Sequence, residues 1–220
     1  MSLVLYGYWR SSSSWRVRIG LNWKGLPYAQ HSVHLAKGEQ NAPGWQEKSP
    51  LRTVPLLEWE SPSGTRQLTQ SLAILEYLDE IAPTKTLFPG DAKNRARIRR
   101  LVLECKSHLD DKGLGPLFQE AYMKPAGEAP DEAKINKARE IVIAELEYFA
   151  RQLQGNFLAG EAPTAVDFAV YTEVAYVKRM AATKPATKLA GVLKGSMADW
   201  VARIEALPYF DKTFPPHWRG

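Results

Sequence analysis

The feature that most constrains this chain is a change in the spacing of its apolar residues near position 82. Ahead of that point, short β-branched and aromatic runs alternate with stretches whose apolar residues recur three and four apart. Beyond it only the helical spacing continues. Strands mixed with helices, followed by helices alone, predict an α/β domain and then an all-α domain, because each kind of element must bury its apolar side against a partner. The 220 residues suffice for two domains of ordinary size. We expect them at 1–82 and 91–220, joined by the proline- and glycine-containing stretch 83–90.

The first domain reads as βαβ, loop, ββα. Residues 4–8 form a strand, Arg10 and four serines a turn, and 15–23 a helix. Residues 25–28 stop that helix, and 29–35 alternate as a second strand does. A loop follows at 37–50. A strand at 54–59 is entered through Pro55, and a turn at 62–64 leads to a hairpin strand at 67–69. Residues 71–81 make an amphipathic helix with Leu72, Leu75, Leu78 and Ile81 three apart and Glu76, Asp79 and Glu80 opposite them. In the second domain helices are expected over 91–109, 134–153, 164–180 and 197–206. Thr164 and Asp167 have the spacing of a capping box. Residues 113–130 carry too much Gly and Pro for one helix and read as a loop able to move.

Composition removes several classes of function. The one cysteine, Cys105, permits no intramolecular disulfide, no CxxC redox pair and no Cys/His metal cluster, so thiol chemistry requires a thiol from outside. The formal charge of +5 is spread along the chain. Residues 1–80 hold eight Lys/Arg against seven Asp/Glu, and the remainder 21 against 17. That pattern is unlike a nucleic-acid tail and suits small anions. Nowhere do about 20 apolar residues run together, so a cytoplasmic protein with no membrane partner is expected.

The chemistry is concentrated at three places. Ser11, Ser12, Ser13 and Ser14 lie where a strand turns into a helix, facing the free N–H groups and positive dipole of the helix start. Such a place lowers a thiol pKa from about 8.5 to roughly 3.5–7.5 and so supplies the nucleophilic thiolate. Serines before a helix are also ordinary caps. Thr53-Val54-Pro55 puts a proline at the head of a strand, where it cannot donate to the ladder and a special turn is needed. Gln70 and Ser71 open the next helix and serve either as caps or as an anchor for a carboxylate. Two hydroxyl-bearing helix starts beside one strand edge suit a short anionic peptide that carries a thiol. Tyr6 and Tyr8 are the competing hydroxyls, but strand aromatics are usually core.

SSSSWRVRIGL resembles the SSCxWRVRIAL signature of zeta-class glutathione transferases. Residues Lys24 to Tyr28 resemble the KGxxY turn of that class, and Gln70 to Tyr77 its QSLAIxEYL helix. Leu87-Phe-Pro-Gly-Asp91 and Arg95-Ala96 are similar to its linker and following helix, while the C-terminal half is only weakly similar. The resemblance implies a thioredoxin-like first domain and a helical second domain that carries most of the second-substrate pocket. It also implies glutathione as co-substrate and a homodimer. By it, Ser11 stabilises the glutathione thiolate with help from Ser12, and Ser13 occupies the cysteine position of the motif. Gln40 reaches the glycine end, Val54 pairs with the cysteinyl backbone beside a cis Pro55, and Gln70 and Ser71 hold the γ-glutamyl carboxylate. Arg179 falls near where maleylacetoacetate and maleylpyruvate isomerases of the class place an arginine for a substrate carboxylate. Ser13 and Gly115-Pro116 depart from those isomerases, which carry cysteine and a polar residue there. On these grounds conjugation of glutathione to a small electrophile is the first expectation and isomerisation the second. A non-catalytic binding module of glutathione-transferase-like form is the third.

Overall fold

The computed structural model describes residues 2–125 and 127–219. The chain forms two compact units, one of Met1–Pro89 with Leu207–Gly220 and one of Gly90–Ala206. Leu207–Gly220 thus group with the α/β unit.

In the first unit β1 (Leu3–Gly7), β2 (Tyr28–Ser32), β3 (Leu56–Ser61) and β4 (Gly64–Thr69) form one sheet in the order β2-β1-β3-β4. β1 and β2 run parallel, joined through α1 (Ser12–Lys24), and the other pairs are antiparallel. This is the thioredoxin-like arrangement. The two-residue period of β1 sends Leu3 and Leu5 to a core with Val17 and Leu21 of α1 and Ile74 and Leu78 of α3 (Ser71–Ile81). Tyr6 and Tyr8 take the opposite face, where they pack on Val33, Trp45, Val54 and Leu56. Trp45 sits on α2 (Pro43–Lys48), a short helix within the expected 37–50 loop. Pro43 at its first turn accounts for it, since a proline there forfeits no hydrogen bond and its φ is already helical.

α1 is buried on nearly all sides, from Ser14 to Leu21, because α3 covers one flank and the returning C-terminal segment another. Gly20 makes the α3 contact possible, since a Cβ there would lie 2.5 Å from Leu75 Cδ2.

The second unit contains α4 (Ala92–Glu104), α5 (Gly115–Phe118), α6 (Glu132–Gln152), α7 (Ala165–Thr183) and α8 (Gly195–Glu205). α7 is its central helix, buried at every position from Ala165 to Ala175 and packed against α4 and α8. One expectation fails here. Residues 113–130 do not form a loop from their start, because helical backbone continues from Ala92 through Met123, with Ala126 outside the described residues. Two stretches, Cys105–Leu114 and Gln119–Met123, are wound as π-helix around the short α5. The wider turns admit Pro116 at the start of α5, where an ordinary helix interior would be broken. Gly113 lets the wide segment approach α6, since a Cβ would meet Val142 Cγ2 at 2.9 Å.

Candidate active site

Sheet register decides which sequence features meet. Tyr6 pairs with Leu56, and Leu56 with Thr69, across the three neighbouring strands. The end of β1 leading to Ser11, the Val54–Pro55 bond before β3 and Gln70 after β4 therefore share one end of the sheet. On the other side of β1, Gly7 pairs with Ser32 and its carbonyl accepts from Val33 N at 3.0 Å, so the segment leading to Gln40 starts at that same end.

Ser11 is the N-cap residue of α1, and its Oγ accepts from Ser14 N at 3.2 Å. A serine hydroxyl has two lone pairs and one proton, so capping consumes acceptor capacity and leaves the O–H to donate. The capping N–H also polarises that O–H, which strengthens its donation to an anion. Ser12 and Ser13 follow in the first helical turn, half-buried, where backbone N–H groups have no intrahelical acceptor. Ser14 is different: fully buried, its Oγ accepts from Tyr8 N at 3.3 Å. Gly7 leaves room for it, since a Cβ there would stand 3.1 Å from Ser14 Cβ.

The Val54–Pro55 peptide is cis, and the β3 ladder begins after it, at Leu56. Gln70 has φ 70° and ψ 110°, a conformation that L-residues rarely adopt. It precedes α3 without a side-chain cap, so the α3 start keeps its backbone donors. Ser71 is the first residue of that helix.

Tyr6 is committed elsewhere. Its hydroxyl donates to Glu58 Oε1 at 3.1 Å, and Lys48 Nζ and Gln67 Nε2 donate to Glu58 Oε2 at 2.5 and 2.7 Å. The bond to Glu58 raises the Lys48 ammonium above its ordinary range. Burial would raise the Glu58 carboxyl, but the bonds from Lys48, Gln67 and Tyr6 together hold it below the usual carboxylate range. This network fastens α2 to the sheet. Tyr8 packs with His34, ring centroids 5.0 Å apart.

Gln40 lies in a helical turn, Glu39–Asn41, and its buried Oε1 has no hydrogen-bond partner among the described residues. The same holds for Trp45 Nε1, on a side chain 8% exposed and packed with Val54. Buried polar atoms of this kind call for a ligand or water. Sequence reasoning missed Trp45 because it stood in a stretch read as loop. Arg179 belongs to the other unit, half-buried on α7. One turn earlier on α7, Tyr176 packs with Phe118, which also packs with Tyr122.

Comparison with known proteins now decides the family. The family models described as glutathione S-transferase N-terminal and C-terminal domains match residues 5–86 and 116–212. The chain is 32% identical to a probable maleylacetoacetate isomerase of Vibrio cholerae over 98% of its length and 96% of that protein's. The chain belongs to the glutathione S-transferase family. Its zeta-class character is supported by the maleylacetoacetate isomerase of Rattus norvegicus, 34% identical over 80% of this chain and 78% of that one. A solved holo structure of maleyl pyruvate isomerase, a bacterial zeta-class glutathione S-transferase, superposes with a TM-score of 0.75 at 26% identity, covering 96% of both chains. In this glutathione S-transferase, among the described residues, no group of three or more His, Cys, Asp or Glu could hold a metal ion, and no helix is long and apolar enough to cross a membrane.

Proposed function

We propose that this glutathione S-transferase uses the glutathione thiolate to isomerise a maleyl diacid such as maleylacetoacetate or maleylpyruvate. The observation that carries the thiolate chemistry is the register that brings Ser11, Val54–Pro55 and Gln70 to one end of the sheet. There the Ser11 O–H donates to the glutathione sulfur, the α1 start favours its negative charge, and the open start of α3 takes the γ-glutamyl carboxylate with Gln70 and Ser71. Val54 offers its backbone to the cysteinyl residue, and Gln40 with Trp45 meets the glycine end. In the reaction the thiolate adds to the cis double bond and pushes its electron pair onto the conjugated carbonyl as an enolate. Rotation about the new single bond follows, and the enolate then expels the thiolate, leaving the trans isomer with no net proton or electron change. Proximity and thiolate formation supply most of the rate. Arg179 pairs with a substrate carboxylate.

The names of the relatives favour isomerisation, reversing the order expected from sequence. Ser13 favours the second reading, conjugation of the thiolate to a small electrophile, because the zeta-class signature it resembles has cysteine at that position. A cytoplasmic homodimer is part of both readings. The deciding experiment follows maleylacetone isomerisation and chloronitrobenzene conjugation by the same preparation with glutathione. Faster isomerisation is expected. Conjugation alone would establish the second reading, and absence of glutathione binding would leave a non-catalytic module.

A further inference from the structure

The turn that carries Ser11 is held from the far end of the chain. Arg18, fully buried on α1, donates from Nη2 to Trp9 O at 2.9 Å, from Nη1 to Tyr8 O at 3.4 Å and from Nε to Thr213 O at 3.3 Å. Its guanidinium lies 4.4 Å from the centre of the Trp9 ring. Trp15 Nε1 donates to Thr213 Oγ1 at 3.1 Å, and Thr213 Oγ1 donates in turn to Phe210 O at 2.9 Å. The Trp15 ring meets Phe214 and Trp218 edge-on, with centroids 5.5 and 5.6 Å away. Arg10 Nε donates to His217 Nε2 at 2.7 Å. The hydrogen bonds of Arg10, Trp15 and Arg18 to His217 and Thr213 join residues 195 to 207 apart in sequence.

The placement of these bonds sets them apart from general packing. One guanidinium grips two carbonyls just ahead of the serine turn, those of Tyr8 and Trp9, and gives its Nε–H to Thr213 O. Arg10, the residue directly before Ser11, is tied to His217. Tyr8 O also accepts from Ser11 N at 3.0 Å, so Arg18 and Ser11 share one acceptor. A shift of the C-terminal segment is therefore passed to the Ser11 backbone through a single carbonyl and through the neighbouring Arg10.

We propose that the C-terminal segment Phe210–Trp218, through Thr213 and His217, positions the serine turn and thereby sets how strongly Ser11 stabilises the glutathione thiolate. The inference rests on the glutathione reading above. Thr213 and His217 are positioning residues: they act through Arg18, Trp15 and Arg10, with Ser11 touching the thiolate. A displacement of an ångström in an oriented donor is enough to cost catalysis severely.

The test measures the pKa of bound glutathione by thiolate absorbance in the wild-type protein, Thr213→Val and His217→Phe, with thermal unfolding alongside. His217 is exposed, so His217→Phe should fold even if Thr213→Val does not. We expect the bound thiol pKa to rise by about one unit in the variants, a roughly tenfold loss of thiolate below the wild-type pKa, with KM for glutathione changed far less than kcat. An unshifted thiol pKa in every variant that folds would overturn the proposal and leave the segment as packing, however far the melting temperature falls. Failure of the wild-type protein to bind glutathione would instead sink the glutathione reading itself.

Discussion

Two helix starts in this chain begin from the same chemistry and arrive at opposite states. At α7 the Thr164–Asp167 capping box is closed. Asp167 is fully buried and accepts from Leu158 N and Thr164 N at 2.8 Å and from Trp200 Nε1 and Thr164 Oγ1 at 2.9 Å. At α1 the Ser11 hydroxyl accepts one backbone N–H and keeps its proton, in a half-buried position. Both starts satisfy the capping rule, and only the α1 start keeps donor capacity where an outside molecule can reach it. Burial and the number of satisfied bonds, rather than residue type, separate a structural cap from a chemical one.

The largest test of that contrast is Asp167→Ala. It strands two buried backbone donors and the Trp200 indole, each costing about 1–3 kcal/mol. A total loss of about 3–5 kcal/mol is expected in urea unfolding, with kcat of the surviving folded fraction nearly unchanged. Ser11→Ala should do the reverse. Losing the cap costs about 1 kcal/mol of stability. Losing a charge-assisted hydrogen bond to the thiolate, worth about 1.5–3 kcal/mol, lowers kcat/KM roughly ten- to a hundredfold. If Ser11→Ala destabilises the fold as much as Asp167→Ala and leaves kcat/KM alone, the contrast is wrong and both starts are structural.

Much of the α1 start was legible before the fold was known. The serine turn follows a strand, and the WRVR run, the proline entry at Pro55 and the Gln70-Ser71 pair are local patterns with local causes. Their convergence was not legible, because it depends on a register in which Tyr6, Leu56 and Thr69 stand side by side. α2 was hidden by the Gly and Pro around it, and Trp45 with it. The continuous helix through Gly113 and Pro116 escaped because propensity treats both residues as breakers, whereas π-wound turns and close approach to α6 accommodate them. Arg18 stands within the WRVR run, but nothing local marks it, because its partner Thr213 lies 195 residues away.

Gln70 sharpens the contrast from the other open helix start. Its φ of 70° with ψ of 110° is strain held at the point where the γ-glutamyl carboxylate is proposed to bind, and α3 has no side-chain cap there. Were Gln70 only a structural residue, glycine would serve better. Gln70→Gly should release about 1–3 kcal/mol of backbone strain and lose about 0.5–1 kcal/mol to the greater freedom of the unfolded chain. The net expectation is a gain of about 0–2.5 kcal/mol in urea unfolding, accompanied by a rise in KM for glutathione because the side chain no longer reaches the carboxylate. A more stable variant with weaker glutathione binding would mark the α3 start as open and functional, like that of α1. A variant that is less stable and binds glutathione as before would place Gln70 with Asp167 among the residues that serve the fold.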